Sequence, residues 1–139
     1  IKLTGGNAGL LINGGHVTFE GTIDVSGNGF GGIELGKGNN VNTSPHLTLG
    51  PNSQIINTTE TADTPTLWVP SDTNDAILEI GNTRFDLEAG EELSIKEINE
   101  LEESLENPET SDSLILNIMS LSLFVILASY AFNKILNKD

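Results

Sequence analysis

The chain has 139 residues, 20 of them acidic and 6 basic, for a formal net charge of −14, and it contains no cysteine. A disulfide scaffold, a cysteine metal site and a thiol nucleophile are therefore excluded. Nucleic acid is not an expected partner, because a phosphate backbone calls for a basic face.

The composition is split along the chain. Twelve of the 15 glycines fall between Gly5 and Gly38, and none follows Gly90. Residues 91–112 hold nine acids against one base, Lys96. Residues 113–133 carry no charge at all. Three parts follow: a body over 1–90, an acidic capping or spacer helix over 91–106, and a terminal signal over 107–139. Because the chain starts at Ile1 rather than Met, the expectation is a C-terminal piece of a longer protein, with any signal peptide upstream.

In the body, apolar and polar residues alternate with the period of a strand. The pairs are Val17 and Phe19, Ile23 and Val25, Ile33 and Leu35, Leu47 and Leu49, Leu67 and Val69, Leu78 and Ile80, and Phe85 and Leu87. Gly, Asn, Pro, Ser and Asp bound each short run, as turn residues do. An antiparallel sandwich and a parallel β-helix both suit such strands. Short strands, long Gly- and Asn-rich turns and few two-residue hairpin signals favour the β-helix. The expected fold is thus mainly β: the end of a right-handed parallel β-helix, or solenoid, truncated at its N-terminus. A short acidic helix and one transmembrane helix would follow it.

Within residues 14–69, the segments GTIDVSGN, GGIEL and PTLWV stand out. In this stretch, less than half of the chain, the sequence resembles the pectate-lyase-like β-helix segments of Gram-positive surface adhesins. The resemblance implies surface display or adhesion, with a host or polysaccharide ligand, rather than a defined reaction.

In the connector, Ser94-Ile95-Lys96-Glu97 matches a capping box, in which Ser94 and Glu97 satisfy each other's amides. Ile98, Leu101 and Leu105 follow at helical spacing, with Glu100, Glu102, Glu103 and Glu106 on the other side. Pro108 disfavours helix at Asn107. Such a helix would cap the open end of the body by covering its last strand edge, or serve as an acidic spacer.

The uncharged run of 21 residues over 113–133 would measure about 31 Å as a helix, close to the hydrocarbon thickness of a bilayer. Lys134 and Lys138 follow it and mark the cytoplasmic side, which leaves the body outside. Directly before it stands Asn107-Pro108-Glu109-Thr110-Ser111. A Pro-x-Thr core, an apolar run and a short lysine tail, in that order, resemble a Gram-positive cell-wall sorting signal of the Leu-Pro-x-Thr-Gly type. Asn107 replaces Leu, as in the Asn-Pro variants read by some sortases, and Ser111 replaces Gly. The resemblance implies two partners, a sortase and a peptidoglycan precursor, with the membrane engaged through 113–133. Pro108 would present an extended ligand to a groove. The Thr110 carbonyl would be attacked by the sortase thiolate, so cleavage falls between Thr110 and Ser111. A plain membrane anchor with a β-rich ectodomain is the alternative.

Enzymatic activity is the third reading, because parallel β-helices also host polysaccharide lyases and hydrolases. No catalytic residue, cofactor or metal site is expected in this chain. The Asp72-Thr73-Asn74-Asp75 turn lacks the glycine and distal Glu of a calcium loop. His16 and His46 stand far apart in the sequence, without a carboxylate partner in a motif, and read as polar-face residues. The sequons at Asn42 and Asn57 are of a kind common in Asn- and Thr-rich chains. The composite expectation is a non-catalytic adhesin-like protein at the cell surface, anchored to wall or membrane.

Overall fold

The computed structural model describes residues 1–38 and 42–106. The chain divides into two units, 1–99 and 100–139, and each is described by itself.

Among the described residues, ten strands form in the first unit. They are β1 (Ala8–Asn13), β2 (His16–Phe19), β3 (Thr22–Asp24), β4 (Gly31–Gly36), β5 (His46–Leu49), β6 (Gln54–Ile56), β7 (Leu67–Trp68), β8 (Ala76–Ile80), β9 (Thr83–Leu87) and β10 (Glu92–Leu93). They make three sheets, ordered β1-β4-β7-β10, β2-β5-β8-β9 and β3-β6. Of the seven strand pairings, five are parallel. The other two, β7 with β10 and β8 with β9, are antiparallel.

The parallel registers stack apolar residues into columns. Leu10 lies beside Ile33, and Ile33 beside Leu67. Val17 lies beside Leu47, and Leu47 beside Leu78. Ile23 faces Ile55. Ile33, Leu35, Leu47, Leu49, Leu67, Leu78, Val25 and Val69 are all essentially buried. Fully burying a side chain of this kind is worth about 1.5–3 kcal/mol, so these columns are the main cohesive element of the body.

The expected end of a right-handed parallel β-helix is corrected here. Two of the three sheets are mixed, and the sheets remain separate and open rather than closing into a solenoid. The parallel pairings also depart from an antiparallel sandwich. The reason for the antiparallel strands lies in two turns. Gly81 and Asn82 form a two-residue connection between Ile80 and Thr83, which pair directly. Gly81 has φ +59, the left-handed conformation that tight hairpins need and glycine accepts without strain. The chain therefore reverses onto β8 instead of continuing to a new layer. The second reversal brings β10 back along β7, with Gly90 N donating to Val69 O and Val69 N to Glu91 O, both at 2.8 Å.

The helix α1 runs over Ile95–Glu106, and residues 92–93 of the expected acidic helix belong to β10 instead. In the first unit, Ser94 N donates to Glu97 Oε2 at 2.8 Å and Glu97 N to Ser94 Oγ at 3.2 Å. Glu60 Oε2 accepts from Ile95 N at 2.7 Å. A carboxylate at a helix N-terminus satisfies orphan amides and complements the dipole. Ile98 is buried. In the second unit, Leu101 and Ser104 are buried, and the Ser104 hydroxyl donates to Leu101 O at 2.7 Å.

The transmembrane helix expected over 113–133 falls outside the described residues. Among the described residues no helix is long and apolar enough to cross a membrane. The only described helix is the 12-residue, acid-rich α1.

Gly31 shows how tightly β4 meets the segment before β7. Its φ is +135, and an added Cβ would collide with the Pro65 carbonyl oxygen and lie 3.0 Å from the Trp68 ring. Gly31→Ala should therefore combine backbone strain with overpacking and cost about 2 kcal/mol or more. Chemical denaturation should show a lower midpoint. A midpoint equal to that of the parent would contradict this account.

Candidate functional site

The outward face of β2, β5 and β8 gathers the chemistry. In a strand, alternate residues share a face. His16 and Thr18 of β2, His46 and Thr48 of β5, and Ile77 and Glu79 of β8 thus share one face, opposite the buried Leu47 and Leu78. Register places His16 beside His46 and Thr18 beside Thr48, which in turn lies beside Glu79.

His16 and His46 stack. Their ring centroids are 3.8 Å apart and their planes differ by 2°. Thr48 is the hub of the cluster. Its Oγ1 lies 2.8 Å from His16 Nε2 and 3.3 Å from His46 Nε2, and it donates to Glu79 Oε2 at 3.1 Å. A hydroxyl has one proton and two lone pairs, so donating to Glu79 lets it accept from both rings. His46 Nε2 lies 3.1 Å from Glu79 Oε2 as well. The side chains of His46 and Glu79 are 21% and 31% exposed, whereas His16 is exposed. The cluster is therefore partly shielded from water at one end and open at the other.

Arg84 of β9 lies opposite Glu79 in register, but its guanidinium turns to Asp86. Nε and Nη2 both donate to Asp86 Oδ1, at 2.8 and 2.6 Å. Glu79 is left to the histidine and threonine side chains. His16, His46 and Glu79 each offer a ligating atom, and these atoms lie within 4.8 Å of one another.

Carboxylates also stand elsewhere in the body. A concavity of about 360 Å³ is lined by Glu60, Thr61, Ala62, Pro65, Glu92 and Ser94. The Glu60 carboxylate there is engaged structurally, by Ile95 N and the Thr66 hydroxyl. Asp24 accepts from Ser26 N at 3.0 Å and meets Lys2 Nζ at 3.1 Å. The Ser26 hydroxyl and amide, with Lys2 adding, hold its carboxyl down at about 2. Burial pushes Glu34 and Glu91 the other way, with the charge of Asp72 adding for Glu34 and those of Glu88 and Glu97 for Glu91.

Of the residues singled out in the sequence, Ser94 and Glu97 meet at the start of α1. Asn107, Pro108, Glu109, Thr110, Ser111, Lys134 and Lys138 lie outside the described residues. In the Asp72–Asp75 turn, Asp75 Oδ1 accepts from Ala89 N at 3.2 Å. The Asn57 side chain is held locally, accepting from Thr59 N and donating to Thr66 Oγ1. The His16, His46 and Glu79 cluster was missed by sequence reasoning, which sought partners at motif distance. The usable signal was the recurrence of His-x-Thr, HVTF at 16–19 and HLTL at 46–49, followed by ILEI at 77–80.

No protein-family model, curated protein or solved structure matches this chain.

Two outcomes test these assignments. Removing the hub hydroxyl in Thr48→Val should destabilise the body by about 1 kcal/mol, read as a lower denaturation midpoint at unchanged slope. The pH dependence has two limbs of opposite sign. Raised carboxyls such as Glu34 and Glu91 favour the folded state below their ordinary value of 4.5, and that contribution is lost as pH rises through the folded value. The contribution of Asp24 is present above its ordinary value of 3.8 and is lost as pH falls towards 2. The melting temperature should thus rise on acidification from neutrality to about pH 4.5 and fall below about pH 3.8. Glu34→Gln should raise it at neutral pH and leave it unchanged near pH 4. An equal increment at both pH values would refute the role of Glu34.

Proposed function

We propose that this chain is a non-catalytic, adhesin-like protein displayed at the cell surface, and that a sortase cleaves it between Thr110 and Ser111. One observation carries the reading: the order of parts at the C-terminal side. Asn107-Pro108-Glu109-Thr110-Ser111 precedes an uncharged run over 113–133, and Lys134 and Lys138 follow.

The chemistry of each part suits the order. Pro108 has a fixed φ and no amide proton, so it offers a groove an extended ligand at low entropic cost. Acyl transfer from the Thr110 carbonyl to the sortase thiolate breaks the bond to Ser111, and an amine of the wall precursor then resolves the acyl-enzyme. The apolar run holds the precursor at the membrane until that transfer. The distribution of charge supports the same polarity. Residues 1–112 hold 19 acids and 4 bases, a net of −15, whereas residues 134–139 carry a net of +1. The acidic part suits the outside and the basic remainder the cytoplasmic side. The displayed part presents a polar sheet face, rich in Thr and His, on which a host or polysaccharide ligand would be read.

Wall digestion followed by mass spectrometry of the released protein tests the proposal. The expected product is a peptide ending at Thr110 and joined to a cross-bridge fragment. Pro108→Ala and Thr110→Ala should each abolish that product and leave the chain in the membrane fraction. Recovery of the intact 113–139 segment in mature, wall-extracted protein would sink the reading.

A further inference from the structure

We propose that His16, His46 and Glu79 form a binding site for one divalent transition-metal ion of zinc type, which clamps β2, β5 and β8 together. The inference is independent of how the chain is anchored.

Four observations carry it. First, the chain contains two histidines in all, and the fold stacks both of them on neighbouring strands. Second, the third member is a carboxylate on the next strand, 3.1 Å from His46 Nε2. Third, the single arginine of the chain, which lies opposite Glu79 in register, is turned to Asp86. The Glu79 carboxyl group is thus left facing the imidazoles. Fourth, the ligating atoms of all three residues lie within 4.8 Å of one another.

The donor set selects the ion. Two imidazole nitrogens and one carboxylate oxygen suit zinc and its first-row neighbours, whereas calcium and magnesium require mostly oxygen. With metal–ligand bonds of about 2.0–2.2 Å, ligand atoms in a tetrahedral site stand roughly 3.4 Å apart. The pair of His46 and Glu79 is already close to that spacing. The stacked rings point their Nε2 atoms side by side rather than at a common centre, so they must tilt about χ2 for their lone pairs to converge. The exposed position of His16 leaves room for that movement. As the ion enters, each neutral imidazole binds it through the Nε2 lone pair and carries its one ring proton on Nδ1. The Thr48 hydroxyl keeps its bond to Glu79 and becomes a support for the ligand carboxylate, as outer partners of metal ligands commonly do. Three protein ligands leave one position for water or an added donor.

The ligands come from three strands that are distant in sequence, so coordination joins separate layers of the body. An ion that binds the folded state alone stabilises it by mass action. Binding should therefore be visible as a rise in melting temperature as well as by direct titration.

The test uses the full chain without a histidine tag. Zinc is titrated calorimetrically and cobalt by visible absorbance, with calcium and magnesium in parallel. The expected result is one zinc or cobalt ion per chain, a cobalt spectrum of low coordination number, and a higher melting temperature with zinc. His16→Ala and Glu79→Gln should each weaken binding at least about tenfold, the lower end of what losing even an outer partner costs. Thr48→Val should retain the ion, because the hydroxyl is a support and not a ligand. Circular dichroism verifies that each variant is folded. Absence of zinc binding to the parent chain would overturn the proposal. Undiminished binding in the folded His16→Ala and Glu79→Gln variants would do so as well, since the ion would then lie among the other carboxylates. Calcium binding as tight as zinc binding would also count against it.

Discussion

Parallel pairing between strands far apart in the sequence is the constraint on which the rest of the body depends. Each backbone ladder sets its residues beside those one layer further along the chain. His16 of β2 meets His46 of β5, His46 meets Ile77 of β8, and Thr22 of β3 meets Gln54 of β6. Because side chains alternate in a strand, one such register determines both faces at once. The inner face stacks Val17, Leu47 and Leu78. The outer face stacks His16 on His46 and sets Thr48 beside Glu79. A slip of one residue in β5 would send Leu47 outwards and His46 inwards. The apolar columns therefore enforce the geometry of the polar cluster, and no polar contact has to hold it alone.

Open sheets leave unpaired backbone at their edges, a template for unwanted pairing. On one side the chain covers these edges with its own antiparallel strands. β9 folds back on β8 through Gly81 and Asn82, and β10 pairs with β7. The connection then leads straight into α1, where Glu97 accepts from the Ser94 amide just before the helix and Glu60 from its first amide, Ile95 N. Glu60 comes from the loop between β6 and β7, so one carboxylate ties the helix start to an earlier layer of the body. The acidity of this region thus serves local structure as well as charge.

Much of this was legible in the alternation of apolar residues. Ile23 and Val25, Ile33 and Leu35, Leu47 and Leu49, Leu67 and Val69, and Leu78 and Ile80 are inward-facing pairs, and all are buried. The capping box at Ser94 was legible because its two partners are close neighbours in the sequence. Long-range features were not. β1 reads as AGLLIN, a short apolar run without alternation, and β6 reads only as QII. Neither carries enough periodicity to be seen. The antiparallel reversal at Gly81-Asn82 was hidden among many Gly- and Asn-rich turns, of which few reverse the chain. The steps between layers also differ in length. Ala8 of β1 pairs with Gly31, whereas Ile33 of β4 reaches much further along the chain, to Leu67. Unequal loops therefore mask any sequence repeat. The histidine cluster was obscured by the same cause, because its members become neighbours only once the register is known.

The balance of charge adds a physical reason why the cluster sits where it does. The body over residues 1–90 holds 10 acids against 3 bases, a net of −7, and so creates a negative potential that concentrates small cations near its surface. Most of its carboxylates are exposed and screened within about 8–10 Å at physiological salt, so the field alone attracts without selecting. Selection requires donors softer than carboxylate oxygen, held where solvent is partly excluded. Among the described residues, the outer face of β2, β5 and β8 is where imidazoles stand beside a half-buried carboxylate. Long-range attraction and short-range choice are thus supplied by different residues. The parallel register puts the second inside the field of the first.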